Sequence, residues 1–405
     1  MQFLYIDPGT GSMLFSILIG VVSTLFFFGQ RLFMKLKFIF NGGKAVKINN
    51  SKIQYVIFSD HKRYWNVFKP ICDEFEKRGI NISYWTASPD DPGLKEQYKH
   101  VNAEFIGEGN KAFSRLNMMN AHICLSTTPG LDVYQWKRSK NVDKYVHIVH
   151  MANDASEYRM FGLDYYDSVL CSGNNQVEQI RKLENIRSLP HKDIAVVGCT
   201  YMDSLLTKRN ELKSSERVKN QKTILLAPSW GKSAILSKYG NKIIDSLIST
   251  GYKIVIRPHP QSFTAEAEML KNMMSKYPSN DNLEWNRDND NFKVLSEADI
   301  LITDFSGVIF DYALIFERPV IYADTKFDYS PYDAAWLDEP LWTFKVLPKI
   351  GVKLEEENIS DIKKLIDSTI SNPDFKKNLE EIRLECWENP GNSAKETVDY
   401  LTKLI

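Results

Sequence analysis

The spacing of apolar and polar residues changes character once along the chain. Residues 13–40 are one long hydrophobic tract, and after Lys47 short apolar runs alternate with amphipathic stretches. Gln54–Phe58 reads as a buried strand. Tyr64–Arg78 follows, with Trp65, Phe68, Cys72 and Phe75 at three- and four-residue steps on one helix face, and Gly79 to end it. Further strands are predicted at Ile82–Trp85, Glu104–Ile106, His122–Ser126, Tyr145–His150, Ser168–Ser172 and Ile194–Val197. Lys208–Lys222 is polar, with only Leu212 and Val218 as sizeable apolar residues, and reads as a linker. The alternation then restarts: strands at Thr223–Ala227, Lys253–Arg257, Ile300–Thr303 and Val320–Tyr322, helices at Asn241–Thr250, Thr264–Tyr277 and Ser306–Glu317. Alternating strands and helices build parallel sheets covered on both faces, so the pattern predicts two Rossmann-like α/β domains facing a cleft. Ligands in such sheets bind beyond the carboxyl ends of the strands.

The opening tract predicts a membrane anchor. No charged residue lies between Asp7 and Arg31, and Met13–Gly29 holds only Ser16, Ser23 and Thr24 as polar members. As a helix this run is about 25 Å long against a hydrocarbon core of about 30 Å, so whether it spans or only inserts stays open. A cleaved signal peptide and a buried soluble helix are the alternatives; the former wants a basic start, which Met1–Asp7 lacks. From Arg31 to Ser59 there are six basic residues and no acidic one. That flank predicts catalytic domains on the cytoplasmic side of the cell membrane. The expected division is 1–47 for anchor and basic interfacial segment, 48–212 for an acceptor domain and 213–405 for a nucleotide-donor domain, with the last helix a candidate to cross back.

Composition adds limits. Lys plus Arg and Asp plus Glu are 51 each, which gives no general pull toward nucleic acid. The five cysteines are widely spaced without a CxxC pair, as expected of reduced core thiols.

Four motifs sit at predicted strand ends. Thr303-Asp304-Phe305-Ser306-Gly307 ends a strand and opens a helix. Ser306 suits an N-cap, Gly307 lets a ligand approach the backbone, and a helix start attracts an anion such as a diphosphate; a plain capped helix is the competing reading. Arg257-Pro258-His259-Pro260 holds a guanidinium and an imidazole between prolines, as a phosphate site would. His147-Ile148-Val149-His150 places His150 at a strand end, where it can take a proton from an attacking hydroxyl; strand geometry sends His147 the other way, against metal ligation. Ala227-Pro228-Ser229-Trp230-Gly231 ends the first strand of the second domain, where a donor would bind or where the chain simply turns. No metal-ligand cluster is visible, and neither metal nor cofactor is expected.

At these residues the chain resembles the CDP-glycerol glycerophosphotransferase family, the teichoic acid polymerases and primases. Its Thr-Asp-Tyr-Ser-Ser, Phe-Asp and Arg-Pro motifs correspond to Thr303–Gly307, Phe310-Asp311 and Arg318-Pro319. Its Arg-x-His-Pro is Arg257–Pro260, and its Ala-Pro-Thr-Trp is Ala227–Trp230. Its Gly-x-Pro-x-x-Asp turn is approximated by Gly198 and Asp203, and its closing Asp-Gly-Asn by Pro390-Gly391-Asn392. Where the family has His-Gly-Thr-Pro, this chain has His150-Met151-Ala152-Asn153. The resemblance implies a GT-B-type fold and transfer of glycerol phosphate, or a similar polyol phosphate, from a CDP-activated donor to an acceptor hydroxyl. His150 would be the base. Arg257, His259, Ser306 and Gly307 would hold the donor pyrophosphate, and Asp304 and Asp311 would orient the helix start or the ribose. A lipid-linked acceptor is expected from the anchor. Two other readings remain: a GT-B glycosyltransferase using a CMP- or UDP-sugar, and a non-catalytic membrane scaffold of a polymer-assembly complex.

Overall fold

Runs rich in Val, Ile, Leu and Tyr become two sheets in the computed structural model, which describes residue 29 and residues 52–212, 221–288, 290–323 and 327–405. The first sheet contains β1 (Ile53–Ser59), β2 (Ile82–Thr86), β3 (Val101–Phe105), β4 (Asn120–Ser126), β5 (Asn141–Ile148), β6 (Ser168–Cys171) and β7 (Asp193–Val196). Its order is β3-β2-β1-β4-β5-β6-β7. The second contains β8 (Thr223–Leu226), β9 (Lys253–Ile256), β10 (Leu283–Trp285), β11 (Ile300–Thr303), β12 (Val320–Ala323) and β13 (Gly351–Leu354), in the order β10-β9-β8-β11-β12-β13. Every strand pair is parallel. In each sheet the direction of winding reverses beside the first strand, between β1 and β4 and between β8 and β11. Those are the topological switch points at which α/β sheets bind ligands.

The helix Trp65–Arg78 buries Trp65, Phe68, Ile71, Cys72 and Phe75, the face that the sequence spacing marks, and Gly79 closes it in the left-handed conformation at φ 68°. Pro70 lies inside it. Proline removes the N–H that would have bonded the Asn66 carbonyl four residues earlier. Ser204 Oγ stands 3.1 Å from Asn66 O and 3.0 Å from Thr200 O, sharing its one proton between the two carbonyls, and Thr200 Oγ1 donates to Val67 O at 2.8 Å. The helix Thr200–Glu211 is thereby docked on the first.

The final helix, Ser393–Lys403, places Val398 and Leu401 in the core of the first sheet. Asp203 fixes its approach. The Asp203 carboxylate accepts from Trp387 Nε1 at 3.1 Å, Gly391 N at 2.8 Å and Ser393 N at 2.9 Å. Gly198 faces the same segment at φ 93°, and a Cβ there would lie 2.2 Å from Glu388 O. The two motifs flanking these residues are one clamp.

Several boundaries differ from expectation. The third strand is Val101–Phe105, earlier than Glu104–Ile106. β5 ends at Ile148, so His150 lies just past the strand. The polar stretch from Lys208 begins as helix through Glu211, and residues 213–220 are outside the described ones. The expected anchor, residues 1–47, also lies outside them apart from Gly29; among the described residues no helix is long and apolar enough to cross a membrane. All five cysteines are buried and unpaired.

Replacing Asp203 by Ala leaves three donors without their acceptor, two of them on the buried Trp387 and Ser393, and should cost about 1–3 kcal/mol of stability. A lowered thermal midpoint for Asp203→Ala, with a smaller loss for Asp203→Asn, checks this; an unchanged midpoint would refute the clamp.

Candidate active site

The loops leaving the carboxyl ends of β1, β4 and β5 face those leaving β8, β9 and β11. After β5 the chain turns through His150. The His150 ring is half-buried, with its Nδ1 2.6 Å from Thr127 Oγ1. Thr127 Oγ1 donates its own proton to Ile148 O at 2.8 Å, so it can only accept from His150. The network therefore assigns the proton to Nδ1 and leaves the Nε2 lone pair free. Tyr158 OH lies 3.4 Å from the same Nδ1 but 3.1 Å from His147 Nε2, which takes its proton. The Tyr64 ring meets His150 edge-on, with centroids 4.9 Å apart. Burial, helped by the nearby Arg63 guanidinium, pushes the His150 pKa down to about 4. The ring is thus neutral at neutral pH, as a base must be.

His259 is held in the complementary way. Its Nδ1 accepts the Gln261 N–H at 3.1 Å, so the neutral ring carries its proton on Nε2. Trp230 stacks on it, with centroids 6.4 Å apart at 28°. Burial lowers its pKa first and Arg63 second, against the opposing Glu266. One arginine of the first sheet is therefore within electrostatic reach of both histidines.

The helix after β11 starts later than the sequence suggests. It spans Val308–Phe316 with Gly307 as N-cap, and no side chain caps it. The reason is local: Ser306 O already accepts Ile309 N at 3.1 Å, tightening the first turn and leaving the Ser306 hydroxyl outside the cap. Asn153, three residues beyond His150, packs here. A Cβ on Gly307 would lie 3.4 Å from Asn153 Oδ1, an oxygen that is buried without a hydrogen-bond partner. The β5 exit and the helix start therefore meet.

The remaining expected residues have definite places. Asp304 accepts from Ser229 N at 2.9 Å and Ile235 N at 2.9 Å, so it shapes the loop after β8. Ser229 Oγ in that loop is buried without a partner. Arg257 donates to Asn286, and Asp288 and Asp290 add their field; burial lowers its pKa. Asp311 faces the Tyr201 hydroxyl at 3.4 Å, and burial raises its carboxyl to about 7. Arg257 and Asp311 both neighbour Tyr201. Buried polar atoms normally find partners, so the orphaned Asn153 oxygen fits a wall completed by a polar ligand. Among the described residues no group of three or more His, Cys, Asp or Glu could hold a metal ion. A surface depression of about 370 Å³, lined by Gln54, Asn81, Tyr98 and His100, sits at the amino ends of β1 and β2, the wrong end for this chemistry.

Residues 118–344 match the model of the CDP-Glycerol:Poly(glycerophosphate) glycerophosphotransferase family, a span that includes both histidines and the Ser306–Gly307 helix start. The chain belongs to this family. Solved structures share the glycerophosphotransferase's fold at low identity. A histidine-to-asparagine variant of the wall teichoic acid polymerase TagF, soaked with CDPG, is 17% identical with a TM-score of 0.55, covering 89% of this chain and 90% of its own. The UDP-GlcNAc 2-epimerase of Methanocaldococcus jannaschii is 14% identical at TM-score 0.53, covering 87% and 100%. The S. aureus MnaA–UDP structure is 12% identical at 0.55, covering 88% and 98%. No curated protein sequence matches the chain. These neighbours establish two facing α/β domains of GT-B type.

Arg63 and Asn153 stand beside the predicted residues without having been singled out from the sequence. The signal available for Arg63 was its place on the turn directly after β1, at a switch point; Asn153 had its place in the motif after His150.

The folded His150 pKa lies below the unfolded value of about 6.5. The unfolded chain then binds the proton first, so the stability linked to His150 is complete above about pH 6.5 and falls as the pH drops toward 4. Histidine-selective NMR titration should show one ring titrating near 4, absent in His150→Gln. A midpoint near the solvent value would refute the burial.

Proposed function

We propose that this glycerophosphotransferase moves glycerol phosphate from CDP-glycerol to an acceptor hydroxyl, releasing CMP, in the synthesis of a teichoic acid-like polymer. The observation that carries the reading is the opposite kind of partner at the two Nδ1 atoms, a threonine oxygen at His150 and a backbone N–H at His259, which assigns opposite tautomers. His150 presents a lone pair, and His259 presents an N–H.

The acceptor hydroxyl gives its proton to His150 Nε2 as its oxygen attacks the phosphorus that bears glycerol. The bond from that phosphorus to the bridging oxygen breaks, and CMP leaves with the electron pair. His259 Nε2–H and the open start of the helix Val308–Phe316 stabilise the charge that develops there. Among the described residues, the N–H groups of Gly307 and Val308 have no hydrogen-bond partner, which suits them to an oxyanion. Arg257 is the strand-end cation of the donor side. Asp304 sets the Ser229 loop, and Asp311 with Tyr201 suits hydroxyl groups of the donor ribose. Phosphoryl transfer needs positioning and electrostatics more than covalent help, and this set of residues supplies both.

The acceptor in this reading is lipid-linked and the site works at the cytoplasmic face of the cell membrane. Support comes from the apolar run Met13–Gly29 and the basic residues Arg31, Lys35 and Lys37 after it.

Full-length protein given CDP-glycerol, CDP-ribitol and nucleotide sugars should release CMP from CDP-glycerol fastest. His150→Ala should lower kcat on the order of 10²–10⁴-fold, and His259→Ala about 10²–10³-fold. Full activity in both variants would refute the assignment. Deleting residues 1–40 should move the protein from membranes to the soluble fraction, and persistent membrane association would count against the anchor.

A further inference from the structure

The turn Lys62–Tyr64 follows β1 and lies outside the span that the family model matches. It is pinned on all sides. Ser59 Oγ donates to His61 O at 3.1 Å, His61 Nδ1 accepts the Arg63 N–H at 3.1 Å, and the Lys62 N–H donates to Ser88 Oγ at 3.0 Å. The Lys62 ammonium pairs with Asp90. Arg63 differs: its side chain is exposed, and its guanidinium makes no hydrogen bond or ion pair among the described residues.

Asp60, on the same turn, lies within its field, and the placement of this unbonded guanidinium is what matters. It stands 5.2 Å from the centroid of the Tyr64 ring, and that ring meets His150 at 4.9 Å. Guanidinium, phenol and imidazole thus form a row along the first-sheet wall. From the far wall, His259 also lies within the field of Arg63. A cation held beside the base and within reach of the leaving-group histidine stands where the transferred group must pass. An arginine fork matches the paired equatorial oxygens of a phosphoryl group.

We propose that Arg63 is a catalytic residue of the first-sheet wall that contacts the phosphoryl group in transit from the CDP-activated donor. The inference rests on the reaction proposed above. As the acceptor oxygen–phosphorus bond forms and the bond to the CMP oxygen breaks, Arg63 balances charge on the non-bridging oxygens while the proton goes to His150. The same cation helps keep His150 neutral, alongside Tyr64, Tyr158 and His147, which also face that ring.

The test compares full-length wild type with Arg63→Ala and Arg63→Lys, using CDP-glycerol and CMP as ligands. CMP lacks the transferred phosphoryl group. Arg63→Ala should weaken CDP-glycerol binding tenfold or more, about 1.4 kcal/mol, with CMP affinity within roughly threefold of wild type. Its kcat should fall by roughly 10²-fold or more, and Arg63→Lys should recover part of the loss. The acid limb of kcat/KM should also move to higher pH, because without the cation His150 takes a proton more readily. Equal losses for CDP-glycerol and CMP, or unchanged binding and kcat, would overturn the role of Arg63 alone. A wild type that neither binds nor turns over CDP-glycerol would overturn the reaction, and this inference with it.

Discussion

Asp154 is buried, and it reaches from the first domain into the second. Its carboxylate accepts from Trp342 N at 2.8 Å, Thr343 N at 2.8 Å, Thr343 Oγ1 at 2.5 Å and the Gln179 side chain. Burial raises its pKa, and those donors pull the other way. A buried carboxylate without such donors would be untenable, so the start of the helix Trp342–Ile350 is tied to the segment that leaves β5. Because that segment also carries His150 and Asn153, the one interaction sets how far the proposed base stands from the second sheet. Arg187, bridging Asp164 and Asp333, and the pairing of Arg159 with Tyr332 brace the same seam further along.

Within that frame the two histidines gain different chemistry from near-identical starting material. Both rings are neutral for the same reason, since loss of solvent disfavours the imidazolium and the Arg63 field adds to the effect. They diverge only through the partner of Nδ1. A threonine oxygen whose own proton is engaged makes one ring an Nδ1 donor; a backbone N–H makes the other an Nδ1 acceptor. The hydrogen-bonding character of each Nε2 is thus set by two local contacts rather than by the pKa values.

The sequence carried the strand-rich body of the fold because β1, β8, β9 and β11 are apolar runs buried on both faces, and parallel sheets demand such runs. β10 and β13 escaped notice since Leu283–Trp285 and Gly351–Leu354 are edge strands of three and four residues. The helix Thr200–Glu211 was hidden in polar sequence. It buries few apolar residues and is held partly by Thr200 and Ser204 bonding to another helix, a signal that periodicity cannot register. For the candidate site, the prolines around His259 and the glycine at 307 marked the loops that leave the carboxyl ends of β9 and β11. Arg63 had only its place on the turn after β1 to mark it, because its setting comes from where that turn falls relative to His150 and His259, far along the chain.

Two of the places where the chain departs from the motifs it resembles lie against each other. Asn153 stands where the family has the proline of His-Gly-Thr-Pro, and Gly307 where it has the second serine of Thr-Asp-Tyr-Ser-Ser. The Gly307 backbone is ordinary right-handed helix at φ −57°, so no conformational demand selects glycine. Nor does space: a Cβ would stand 3.4 Å from the Asn153 amide oxygen, an ordinary van der Waals contact, so the two positions are neighbours without glycine being required. The amide nitrogen is anchored on Glu157, so the oxygen is aimed rather than loose. The helix N–H groups stay open beside it, and the polar atom that neighbours them belongs to the same segment as His150.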